Sequence, residues 1–138
     1  MTSSRHADRQ RAVALLYEAD VRDDALGDVI ARAEASDDPP EPFAASLVLG
    51  VAGRLHELDG LIEAYARGWT VARMPVVDRN LLRLGLWELI GTDTPVAVVI
   101  DEAVELANEL STPDSGRFVN GVLAQVARSE AGVAAARS

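Results

Sequence analysis

Along this chain apolar positions recur at steps of three and four and never in a sustained alternation, so the pattern predicts helices and no strand. Ala12, Leu15, Leu16 and Ala19 mark a first helix from about Arg5 to Arg22, ended by Asp23-Asp24. Leu26, Val29, Ile30 and Ala33 mark a short second helix, and the polar, proline-rich segment from Ser36 to Pro42 is a loop. Leu47, Val51, Leu55, Leu58 and Ile62 run down a long third helix, about Phe43 to Arg67, loosened by Gly50, Gly53 and Gly60. Gly68 to Met74 reads as a connector with room for a single turn.

Pro75 suits the first position of the next helix, where a missing N–H costs nothing. The segment that follows, VVDRNLLRLGLWELIG, is apolar nearly all round, the mark of a helix buried on several sides. Val96 to Ile100 is rich in β-prone residues but leads straight into a helical stripe of Ile100, Ala103, Val104, Ala107 and Leu110. Ser111 to Ser115 combines a stop with helix-capping residues, Asp114 or Ser115 being the expected cap, and Val119, Val122, Leu123 and Val126 mark the last helix. The expected fold is all-α, with about six or seven helices in two small bundles. These bundles, over about 5–67 and 75–128, pack together as one domain, and the alanine-rich stretch 129–138 is expected to fray.

Composition then removes whole classes of chemistry. The 138 residues include no cysteine, which excludes disulfides, thiolate zinc sites, iron–sulfur clusters and thiol nucleophiles. All 13 basic residues are arginine, so neither a phosphate loop ending in Gly-Lys-Ser/Thr nor a Schiff-base lysine is available. A net charge of −9 argues against a surface that coats nucleic acid generally, though not against a local basic patch. The longest mostly apolar run, Phe43 to Gly53, is about half the ~20 residues a membrane-spanning helix needs. The first residues, MTSSRHADRQR, carry no apolar stretch of a secretory signal, and the cytoplasm is the expected compartment.

Asp101, Glu102, Glu105 and Glu109 stand three and four apart and can share helix faces, but no histidine has a glutamate three residues before it, as a di-iron bundle would require. They read as a solvated face, and no metal, cofactor or catalytic residue is assigned. No Gly-x-Ser-x-Gly element or tuned acid–base pair is present, so a binding protein is favoured over an enzyme. Arg5, Arg9 and Arg11 face only Asp8 among the first 17 residues, and Arg5 and Arg9 extend the apolar stripe of the first helix into a basic end. Arginine suits phosphate and base recognition, although cations disfavour a helix N-terminus and a solubilising end is the plainer alternative. In DSGRFVNGV, Arg117 is cationic and Phe118 is able either to stack on a base or to join the core.

Four blocks in register, RAVALLYEADV, PVVDRNLLRLGLWELI, VIDEAVELANEL and DSGRFVNGVL, resemble the NusB transcription antitermination factors from about Arg5 to Arg128. The resemblance implies an all-α protein of two helical subdomains, without enzymatic activity or cofactor. It implies binding to the boxA element of ribosomal-RNA operon transcripts together with the ribosomal small-subunit protein NusE, within an elongation complex of RNA polymerase and other Nus factors. Arg5, Arg9, Arg11, Tyr17, Asp114, Arg117 and Phe118 match RNA-facing positions, and Tyr17, Asp78 and Arg79 match partner-facing ones. Asp8 interrupts the basic cluster, and Met74 stands where a capping serine is common. Some members of the family self-associate, so a homodimer belongs to the expected assemblies. Two alternatives remain beside this reading. One is a protein-only helical adaptor, suggested by the overall acidity. The other is a stand-alone relative of the NusB-like domain of ribosomal-RNA methyltransferases, for which this sequence offers no cofactor-binding βαβ unit.

Overall fold

The computed structural model describes residues 4–129, so the 129–138 tail lies outside the described residues apart from Ser129. Six α-helices and one 3₁₀ turn follow in order, and no strand occurs among the described residues. Helix α1 spans Arg5–Arg22. The Ser4 hydroxyl accepts from the Ala7 N–H at 3.0 Å at its start, and Asp23 closes it in the left-handed region with φ 57°. Helix α2 spans Leu26–Glu34 and α3 spans Pro42–Tyr65, with Pro42 in its first turn. Helix α3 bends at Arg54, where φ −132° and ψ 22° leave the helical region one residue after Gly53. Gly68, with φ 83°, turns the chain out of α3 towards the 3₁₀ turn Val71–Arg73.

Helix α4 spans Val76–Gly91, α5 Val96–Leu110 and α6 Pro113–Arg128. The sequence pattern placed Pro75 inside α4, but its ψ of 141° makes it the N-cap instead. The expected cap of α6 also moves: Thr112 is the cap, its Oγ1 accepting from the Ser115 N–H at 3.1 Å, and Pro113 takes the first helical position. Asp114 is thereby released to face solvent.

The all-round apolar pattern of α4 has its counterpart in the packing. This helix touches α1 and α3 on one side and α5 and α6 on the other. Leu81, Leu82, Leu86 and Leu89 of α4 meet Leu16, Leu47 and Ile62 from the first three helices and Leu106 and Leu123 from the last two in one continuous core. The two groups of helices therefore share a single hydrophobic interior. Trp87 of α4 lies directly over the Cα of Gly50 on α3, where any Cβ would overlap the indole. That close approach explains why a helix-weakening residue stands in the middle of α3.

Candidate nucleic-acid interface

The start of α4 is fixed by a charged lock. Asp20 of α1 accepts from Arg79 Nε at 2.6 Å, from a second Arg79 nitrogen, from Asn80 Nδ2 at 3.0 Å and from Arg83 Nη1 at 3.1 Å. Arg83 also holds Asp59 of α3 at 2.8 and 3.0 Å, so three helices meet at these side chains. Burial pushes the Asp20 carboxyl up. The hydrogen bonds from Arg79 and Asn80 and the charges of Arg79 and Arg83 outweigh it, leaving the group below its ordinary value. Arg79, expected at a partner surface, also donates to the Val71 and Ala72 carbonyls, and its side chain is 16% exposed.

Next to Arg79 in the chain, Asp78 stands at the third position of α4 and is 5% exposed, and its Oδ1 finds no hydrogen-bond partner among the described residues. It lines a cavity of about 300 Å³ together with Trp69, Pro75, Thr112, Asp114, Ser115 and Phe118. Trp69 is half exposed and meets Phe118 at a tilt, with ring centroids 6.0 Å apart and planes at 60°. Phe118 is neither fully core nor free: it is partly buried on the central cluster and forms a cavity wall. Ser115 is held beneath it by Ser111 at 2.9 Å and by the Thr112 cap. Asp114 and Arg117 are exposed at the rim and pair with each other one turn apart. The structure thus brings Asp78, expected on the partner side, together with Asp114 and Phe118, expected on the RNA side.

The arginine-rich end of α1 lies elsewhere. Arg9 donates from Nε and Nη2 to the two oxygens of Glu88 on α4, at 2.9 and 2.8 Å, and is only 4% exposed. Leu81, Leu84, Val99 and Ala103 surround the pair. This corrects the reading of Arg9 as part of an exposed basic stripe: the stripe does continue to residue 9, but it turns inward onto a buried carboxylate that the sequence pattern had not paired with it. Glu88 stands ten residues beyond Asp78 on α4, roughly 15 Å at about 1.5 Å per residue. Arg9 is thus enclosed with Glu88 and is not among the residues that line the cavity of Asp78 and Phe118.

Arg5 is exposed, with its guanidinium 3.9 Å above the Phe43 ring, and it has no ion-pair partner among the described residues. Arg11 bonds the Asp38 carboxylate at 3.2 Å and the Asp38 carbonyl at 2.8 Å. Tyr17 is 44% exposed, and Val21, one turn on, is exposed beside it. Trp69 and Phe43 were not foreseen as site residues. Trp69 sits in a connector without periodicity, and Phe43 at a helix start, so neither repeats with neighbours that would reveal its direction.

The NusB family profile matches residues 6–128. A relative named Transcription antitermination protein NusB from Saccharopolyspora erythraea is 51% identical over 128 residues, covering 90% of this chain and 86% of its own. A protein of the same name from Acidothermus cellulolyticus is 50% identical over 129 residues, covering 92% and 89%. Among solved structures, NusB of T. maritima superposes with a TM-score of 0.82 at 34% identity, covering 94% of each chain. A chain in the crystal structure of antitermination factors NusB and NusE in complex with dsRNA superposes with a TM-score of 0.75 at 29% identity, covering 91% of this chain and 96% of that one.

Proposed function

The chain belongs to the NusB family, and from that premise we propose that it acts in transcription antitermination by binding boxA RNA of ribosomal-RNA operons jointly with the ribosomal protein NusE, inside the elongation complex of RNA polymerase and other Nus factors. The observation that carries the reading is the cavity between α4 and α6, where Asp78, Asp114 and Phe118 meet. A surface that offers one partner a buried acceptor and another an aromatic face is suited to joint binding, in which each ligand completes the site of the other. Phe118 and Trp69 supply stacking surface to an unpaired base, and Asp114 supplies an acceptor for a base N–H. Arg5, Arg11 and Arg117 supply phosphate contacts, Arg11 and Arg117 by exchanging their present carboxylate partners. Tyr17, Asp78 and Arg79 face the protein partner, Arg79 by holding the frame around Asp78. Arg9 acts through Glu88 and keeps α1 in place. The function so described is that of a cytoplasmic binding protein without a catalytic role.

A gel-shift and calorimetric titration with boxA RNA, with and without NusE, tests this. Phe118→Ala is expected to cost about 1–3 kcal/mol of RNA affinity, as stacked aromatic–base contacts do. Arg5→Ala and Arg117→Ala are each expected to flatten the salt dependence by roughly 0.7 in slope. Unchanged RNA binding in all three variants with NusE present would refute the site. A protein-only adaptor is favoured by one observation, that Arg9, Arg11 and Arg117 already hold carboxylates. Binding of NusE with no added heat or affinity from boxA RNA would select that alternative.

A further inference from the structure

At the outer edge of α1, away from the Asp78 cavity, His6 projects onto the acidic face of α5. Its Nδ1 lies 2.8 Å from Glu102 Oε2. Its Nε2 lies 3.0 Å from Glu109 Oε1 and 4.0 Å from Glu105 Oε1. Glu109 Oε2 also lies 3.2 Å from the His6 Nε2 and accepts from Gln10 Nε2 at 3.0 Å. One imidazole nitrogen and one oxygen from each of Glu105 and Glu109 all fall within 4.8 Å of one another. Sequence spacing alone could not show this arrangement, because the histidine comes from a helix almost a hundred residues away.

We propose that His6, Glu105 and Glu109 form a binding site for a divalent transition-metal cation of the zinc class. The donor set is one imidazole nitrogen and two carboxylates, a combination such cations take with an open position left for water. Ligands bound at about 2.0–2.2 Å in a tetrahedron stand roughly 3.3–3.6 Å apart, and the observed separations of 3.0 and 4.0 Å bracket that value. Glu102 supplies the outer support that metal-binding histidines use. A cation at Nε2 would replace the hydrogen bond that Nε2 makes to Glu109, and Glu102, 2.8 Å from Nδ1, would then accept the Nδ1 proton and hold the ring in that tautomer. Gln10 orients Glu109 in the same manner. Charge points the same way: three carboxylates surround a single imidazole, and the one arginine that reaches them, Arg9, lies 3.9 Å from Glu102 and leaves Glu105 and Glu109 to the histidine. Glu105 and Glu109 are one helical turn apart on an exposed face, so the cation reaches them without opening the core. Once bound, it would tie the first turn of α1 to α5, adding to the hydrogen bonds of His6 and Gln10 and the Arg9–Glu102 pair.

The test uses the full-length, untagged chain treated with a chelator and dialysed. Calorimetric titration with zinc chloride should show one site, and thermal melting should shift upward with zinc but not with magnesium at the same concentration. His6→Ala and Glu109→Gln should each weaken binding at least tenfold and abolish the zinc-dependent shift. His56→Ala, which changes the other histidine of the chain, should titrate like the parent. Glu105→Gln removes an exposed group with a single long contact, so its fold is not in question, and it should also weaken zinc binding. Absence of zinc binding by the parent overturns the proposal. So does parent-like titration of the His6, Glu105 and Glu109 variants, or loss of binding in His56→Ala. None of these outcomes bears on RNA or NusE binding, so the two proposals stand or fall separately.

Discussion

Glu88 and Asp78 lie on the same helix, both almost fully buried, yet their surroundings are opposite. Glu88 receives two hydrogen bonds from Arg9, and Thr94 approaches it at 3.4 Å. Asp78 leaves Oδ1 with no partner among the described residues and a cavity in front of it. Burying a carboxylate without compensation is costly, and folds keep few such groups. Where one persists beside a cavity and next to two aromatic rings, the missing partner is expected from outside the chain. Both ends of α4 carry internally matched charge, Glu88 with Arg9 and Arg79 with Asp20, and Asp78 Oδ1 is the exception, which on the proposed function makes that end the receptive one. The family resemblance makes no such division, since it assigns Arg9 and Phe118 to one ligand.

The division is broken most forcefully at its matched end. Arg9→Ala strands Glu88 in an apolar pocket, and removing one partner of a buried pair typically costs about 3–5 kcal/mol. Urea denaturation of the variant should show that loss. Replacing both partners, as Arg9→Met with Glu88→Leu, should recover most of it, because two apolar side chains need no compensation. An Arg9→Ala variant with parental stability and weakened RNA binding would mean that Arg9 is a ligand after all.

How far the sequence showed this depended on which residues repeat. The bounds of α1 and the central place of α4 follow from regular apolar spacing, because burying a stripe fixes both length and direction. The cap of α6 was misplaced, on Asp114 or Ser115 rather than Thr112, because all three residue types can cap a first turn and the choice rests on how Pro113 enters the helix. The cavity was legible only as separate residues. Asp78, Asp114 and Phe118 match family positions on two different helices, and their meeting depends on the path of the aperiodic connector that carries Trp69. The His6 cluster was hidden for a similar reason: its acidic half was visible as a helical face, but the imidazole arrives from α1.

A smaller effect is expected at the lock that holds the receptive end in place. Asp20 ionises below its ordinary value of 3.8, because its hydrogen bonds and arginine neighbours outweigh burial. A depressed carboxylate contributes stability that is complete above the unfolded value and is lost as pH falls through the folded one. The parent should therefore lose stability below about pH 4 more steeply than Asp20→Asn, which carries no proton-linked term at this position. Urea midpoints between pH 2 and 6 measure the difference, and equal slopes would show that Asp20 contributes nothing to the acid limb.

The smallest change in stability is expected from Asp78→Asn, and the comparison with Glu88 makes it the sharpest case. The amide keeps the shape of the side chain and removes a buried charge that has no matching partner for Oδ1, so unfolding should shift by no more than about 1 kcal/mol and in either direction. Binding should respond quite differently. A partner donor that pairs with Oδ1 gains a charge-assisted hydrogen bond, and such bonds contribute about 1.5–3 kcal/mol. NusE affinity, measured by calorimetry, should therefore fall tenfold or more while the melting curve barely moves. If Asp78→Asn instead destabilises the fold as Arg9→Ala does, Asp78 is held by the protein itself and both ends of α4 are structural.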